Sequence, residues 1–205
     1  MRKQKIRSVG IPFSVSEANE LSARLQSVLE AIYATYTCDW DDGENAICEG
    51  LVQEAIWLGR VVASLLPEEP EALGLRALML HSQARHDARR VVDGGYVPLP
   101  KQEVNLWSVE MIREAESFLA QASEKKRPGR FQLEAAIQSV HAQRRWSSEI
   151  DWRAIAFLYE GLLHFSSTVG ALIGRAVAVA QTQGALRGMV LLDKIPQEAV
   201  RNHQP

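Results

Sequence analysis

Cysteine is nearly absent: the 205 residues hold two, Cys38 and Cys48. That is too few for a disulfide scaffold or for a zinc site of the CxxC kind. Long apolar stretches are missing too, and no uncharged run reaches the length that spans a bilayer. The chain also lacks excess charge of either sign. Lys and Arg number 23 against 25 Asp and Glu, a formal net charge of -2. A generally cationic coat for nucleic acid is thereby excluded, which leaves only local patches. The start, Met1 to Arg7, is basic with no apolar segment behind it, so it does not read as a secretory signal. The fingerprints GxGxxG after a strand, GxxxxGK[ST], HExxH and GxSxG do not occur. These absences lead to the expectation of a soluble cytoplasmic protein, and they name no reaction.

What is there is helical periodicity. Leu21, Leu25, Val28, Leu29, Ile32, Tyr33 and Tyr36 recur at the three/four spacing of one helix face. Ser14-x-x-Glu17 ahead of them has the form of a capping box. A second face runs Ile47, Leu51, Ala55, Leu58, Val62 and Leu65, and stops at Pro67-Glu68-Glu69-Pro70. From Ala72 to Arg89 the apolar residues lie almost all round, which predicts a helix buried between neighbours. Val91-Val92, an Asp-Gly-Gly turn and Tyr96-Val97 predict one short β-hairpin near 91–97. Helical spacing resumes with Trp107, Met111, Ala115, Phe118 and Ala122, and a loop covers Lys125 to Arg130. Leu133, Ala136, Ile137 and Val140 follow, then Trp152, Ile155, Ala156, Tyr159, Leu162 and Leu163. The last long face is Val169, Leu172, Ile173, Ala176, Val177 and Ala180, with Gly184 as its C-cap. The fold class is therefore all-α: antiparallel helical hairpins stacked as a bundle or a short tetratricopeptide-like solenoid. Ala176 to Leu192 resembles one such unit, with small residues on the first helix that let the second approach.

No residue is assigned a catalytic role, and no metal or cofactor is expected. His81 and His86 are five apart and leave a shared helix face, so a metal site with Asp87 is the weaker reading. Asp39, Asp41, Asp42 and Glu44 lack the calcium-loop pattern and suit the start of the Ile47 helix. Cys38 follows an apolar face and reads as a packed thiol. Trp107 and Trp152 sit with apolar neighbours and read as core. Two basic clusters, Arg2, Lys3, Lys5 and Arg7, and Lys125, Lys126, Arg127 and Arg130, are short and free of interleaved aromatics. The set Arg85, Arg89 and Arg90 ends a buried helix just before Asp93-Gly94, where cations favour the helix C-terminus.

Several words in order carry a resemblance. They are Lys5-Ile6-Arg7 with Gly10-Ile11-Pro12-Phe13, then Glu69-Pro70-Glu71-Ala72-Leu73-Gly74-Leu75 with Ala77-Leu78-Met79-Leu80. Next come Ala84-Arg85, Ala88-Arg89, Asp93-Gly94, Gln102 and Trp107, and Gln132-Leu133-x-Ala135-Ala136-Ile137 with Val140-His141-Ala142. The set closes with Asp151-Trp152-x-x-Ile155-Ala156-x-Leu158-Tyr159 and Arg175 to Ala180. Together they resemble the C-terminal helical extension of extracytoplasmic-function sigma factors, the initiation subunits of bacterial RNA polymerase.

The resemblance implies a regulatory, protein-interaction domain without catalytic activity. Residues 1–13 would be the basic tail of a preceding DNA-binding domain plus linker, 14–195 the helical accessory domain, and 196–205 a frayed tail. Its partners would be the polymerase core and the sigma factor's own DNA-binding domains. Promoter DNA would be touched only through the missing N-terminal domains, to which Arg2, Lys3, Lys5 and Arg7 would lie closest. The competing expectation is a small-molecule sensor or enzyme with an interhelical pocket. Arg85, Arg89, Asp93, Gln102, Trp107, Gln132 and His141 are its candidate residues, being polar or aromatic members of the matched words.

Overall fold

The computed structural model describes residues 18–42, 46–90, 95–147, 149–196 and 198. Among them are eight α-helices, α1 (Ala18–Asp42), α2 (Ala46–Leu65), α3 (Pro70–Gln83), α4 (Val109–Glu124), α5 (Arg130–Ala142), α6 (Trp152–Leu162), α7 (Val169–Gln183) and α8 (Ala185–Leu192). Short 3-10 turns punctuate the long connection after α3 and the end of α5. The all-α expectation holds. The hairpin expected near 91–97 falls partly on 91–94, outside the described residues. At its edges Arg90 and Tyr96 form an isolated antiparallel bridge, and Val97 N donates to Arg89 O at 2.7 Å. The capping box at Ser14, the basic start at Arg2 to Arg7, and most of the tail after Pro196 likewise lie outside the described residues.

The helix centred on Leu75 ends earlier than its periodicity predicts. It stops at Gln83, six residues short of Arg89, and a 3-10 turn at His86–Ala88 follows in place of the last turns of the pattern. Its burial is as expected: every residue from Ala72 to Ser82 is inside. α2, α4 and α5 all pack on it, and α1 reaches it as well. Leu29, Ile32, Tyr36, Ala55, Leu75, Leu78, Met79 and Phe131 form the main core there. Each such large apolar side chain contributes about 1.5–3 kcal/mol by leaving water.

Hydrogen bonds between the elements show the helix directions. Ser108 N donates to Ala84 O and Lys125 Nζ to Glu68 Oε2, so α4 returns antiparallel along α3. Glu71 meets the first turn of α5 and Arg85 its second half, so α5 runs parallel to α3. From α5 onward the order is linear: α5 on α6, α6 on α7, α7 on α8. Ile137, Ile155, Leu162, Ala171 and Ala178 form the second core along that line. This A–B–A′ arrangement is that of stacked helical hairpins.

Local side-chain caps start three of these helices. Ser108, Asp151 and Thr168 accept from the backbone N–H of Met111, Ala154 and Ala171. α5 has no cap of its own, because Gly129 has no side chain to offer. Glu71 supplies one from α3, accepting from Phe131 N at 2.9 Å and Gln132 N at 3.2 Å. Gly74 lets the two helices meet there: a Cβ on it would stand 2.7 Å from Gln132 N. At the far end Gly184 takes φ 97°, ψ 153°, a backbone conformation that side chains resist, and turns α7 into α8.

Candidate functional site

The end of α3, the end of α5 and the loop between Gly95 and Trp107 meet at one corner. Five of the residues singled out from sequence come together here: Arg85, Arg89, Gln102, Trp107 and His141. Arg85 and Arg89 follow α3, where unpaired carbonyls face outward. Arg85 Nε donates to His81 O at 3.4 Å, and Arg89 Nη2 donates to Ser82 O at 2.7 Å and to Ser82 Oγ. Arg85 Nη2 also donates to Gln138 Oε1 of α5 at 2.6 Å. Arg144, just past α5, donates to Leu99 O at 2.6 Å and Pro100 O at 3.2 Å, and its guanidinium lies 5.5 Å from the centre of the Trp107 ring. Gln102 Nε2 donates to Val97 O at 3.0 Å. The guanidinium groups thus close both the helix end and the loop.

The corner is rich in like charge. Burial, then the neighbouring Arg89, pushes Arg85 down to about 10. Burial, then Arg85 and Arg144, pushes His141 down to about 4. His81 is pushed down to about 4 by burial and then by Arg85. Its Nε2 is 3.5 Å from Glu116 Oε1, a separation at which desolvation still wins and the ring stays neutral. Among the described residues, the oxygens that accept from Arg85 and Arg144 are all neutral amide or carbonyl oxygens. Among the described residues, three buried atoms of the corner have no hydrogen-bond partner: Trp107 Nε1, His141 Nδ1 and Gln102 Oε1.

One of the sequence candidates does not take part. Gln132 lies at the opposite end of α5, where its Nε2 donates to Glu71 Oε1 at 3.1 Å and to Arg127 O at 2.8 Å, so it belongs to the α3–α5 junction. Asp93 falls outside the described residues. Trp107 is core as expected, but it precedes α4 in an extended conformation instead of opening the helical stripe. Sequence reasoning missed Arg144 and Gln138. Arg144 carried a signal, being a cation in the turn that follows a helix. Gln138 carried none, since its partner is 53 residues away.

The other candidates resolve into structure. Lys125 pairs with Glu68 at 2.7 Å, Arg127 with Glu69 at 3.3 Å, and Arg130 with Glu30 and Glu134 at 2.5 and 2.8 Å. Most of that basic cluster therefore ties α4 and α5 to their neighbours, with Arg130 also lying over Tyr33 and Phe131. His86 lies 3.0 Å from Asp87 on the surface. Among the described residues no three His, Cys, Asp or Glu gather in a metal-binding group.

A second concave feature lies at the far end. Val179, Gln183, Leu186, Arg187, Val190 and Leu191, with the Glu160–Arg175 ion pair at 2.8 Å, line a groove of about 480 Å³ between α6, α7 and α8. Its lining residues are half apolar and half polar, and the apolar Leu186 is 79% exposed. No described helix is long and apolar enough to cross a membrane.

Comparison with known proteins adds two likenesses. A model for a family of unknown function (DUF6596) matches residues 24–123, from within α1 almost to the end of α4. Arg85, Arg89, Gln102 and Trp107 fall inside that stretch, while His141 and Arg144 lie beyond it. An uncharacterized protein of Rhizobium meliloti (strain 1021) is 33% identical over 195 residues, 94% of this chain. The chain spans 46% of that relative's length. No solved structure matches.

Proposed function

We propose that this chain is a non-catalytic docking domain of a bacterial sigma factor, acting in the cytoplasm to set whether that factor initiates transcription. The reading rests on the ordered words from Lys5 to Ala180 that resemble the helical extension of such factors. It agrees with a chain that matches about half of a longer relative. The observation that carries it is the groove between α6, α7 and α8. The exposed apolar side chains of Leu186 and Val190, with Glu160, Arg175 and Arg187 beside them, suit an amphipathic helix laid along the groove. The partner would be a helix of the polymerase core or of the factor's own DNA-binding domains, and promoter DNA would be reached through those domains.

The test is a sigma factor that carries this chain, with residues 14–205 deleted. Transcription from its own promoter and affinity for core polymerase should both change. If neither moves, the reading fails. The substitution Leu186→Glu in the intact factor should reproduce the change without loss of helicity.

A further inference from the structure

We propose that the corner formed by Arg85, Arg144, Trp107 and His141 binds a small oxyanion of the phosphate class, preferably a monoester that also carries a hydroxyl group. The inference stands on the corner's own geometry and does not depend on the transcriptional reading.

Three observations converge. First, Arg85 and Arg144 donate, among the described residues, to amide and carbonyl oxygens that carry no charge. Among the described residues no carboxylate accepts from either, so their positive charge is not cancelled by these bonds. Guanidinium groups so placed repel one another, and a dianion between them turns that repulsion into attraction. Second, the corner holds buried polar atoms with nothing to bond. Trp107 is 2% exposed with its indole N–H unpartnered, and His141 Nδ1 is buried and unpartnered. Buried polar groups are nearly always satisfied, and an orphan costs about 1–3 kcal/mol. Third, the orphans have the right sense. The indole N–H only donates. The neutral His141 ring donates from Nδ1 in one of its tautomers. An oxyanion accepts from both. Gln102 Oε1, 5% exposed and also unpartnered, is an acceptor and calls for a donor such as a ligand hydroxyl.

A trapped water would bond Trp107 and Gln102 but would leave the guanidinium charge where it is.

The test uses the whole chain at low ionic strength, with glycerol 3-phosphate and inorganic phosphate as probes and chloride at matched ionic strength as the blank. Calorimetry should give saturable one-site binding, tighter for glycerol 3-phosphate. The indole N–H resonance of Trp107, assigned through Trp107→Phe, should move with the same saturation. Arg144→Gln should weaken binding by more than about tenfold, the value of a lost charge-assisted bond. Lys126→Gln should leave it unchanged. Because Arg144 also holds the loop at Leu99, Trp107→Phe is the second variant: it keeps an aromatic ring, removes one donor, and should weaken binding while the far-ultraviolet spectrum stays helical. Overturning results are a linear response with no saturation, a still Trp107 resonance during saturable binding elsewhere (an adventitious ion only), or full binding by Arg144→Gln.

Discussion

At the scale of single residues, two buried imidazoles give the molecule a pH dependence whose sign is fixed. Unfolded, His81 and His141 take up a proton near pH 6.5; folded, they do so only near 4. Between those values the unfolded chain binds more protons. Stability is therefore complete above about pH 6.5 and is lost as the pH falls toward 4. His81 alone, 2% exposed, contributes a loss on the order of 3 kcal/mol across that window. Urea midpoints at pH 7 and pH 5 should differ accordingly, with a shallower dependence in His81→Gln; equal midpoints in the parent chain would contradict the assignment. Glu71 gives a second prediction. It accepts three hydrogen bonds at the start of α5, so Glu71→Ala should cost about 2–3 kcal/mol in denaturant unfolding. Gln132→Ala, which spares the two backbone bonds, should cost less. Arg85 and Arg89 were legible in the sequence because cations suit a helix C-terminus. Gln132 was singled out but its role was not legible, since its carboxylate partner sits 61 residues away and no spacing rule links them.

At the scale of elements, the sequence pattern located the helices well and their ends poorly. Periodicity found seven, because apolar stripes at three/four spacing are what packing demands of a helix, and the likeness of Ala176 to Leu192 to a helical-hairpin unit supplied the eighth. It overran α3, since Ala84 and Ala88 are buried after the helix has stopped, and burial alone cannot distinguish a helix from a 3-10 turn beneath a loop. The hairpin α7–α8 was the best anticipated. Small residues there permit contact so close that a Cβ on Gly188 would stand 2.6 Å from Ala180 Cβ and 2.9 Å from Ala176 O. Two substitutions separate its two requirements. Gly184→Ala meets no atom within 4 Å and should cost about 1–3 kcal/mol through backbone strain alone. Gly188→Ala has ordinary backbone but no room, and should cost about 1–3 kcal/mol by forcing the helices apart. Thermal melts of the two single variants and the double variant would measure both; a neutral Gly188→Ala would mean that α8 sits farther off than described.

The whole molecule is uneven in its support. α3 is wrapped by four other helices, while α8 rests on α7. Stability in a linear stack is passed between neighbours, so it should fall along the chain from α3 outward. Amide exchange should find Leu75 to Leu80 the slowest and α8 among the fastest. Uniform protection across the two would show the stack to be a single cooperative unit. The fold class was legible because alternating stripes and short loops leave few other solutions. Which helices become neighbours was not, because the α3–α5 contact depends on a glycine and a carboxylate at positions that carry no helical signature.

That junction has a practical corollary. Glu71, Gly74 and Gln132 fasten α3 to α5 directly, so the covalent path between them carries little of the register. A protease cut placed in the long connection, after Gln83 and before Ser108, should yield two pieces that co-elute as one particle and separate only in denaturant.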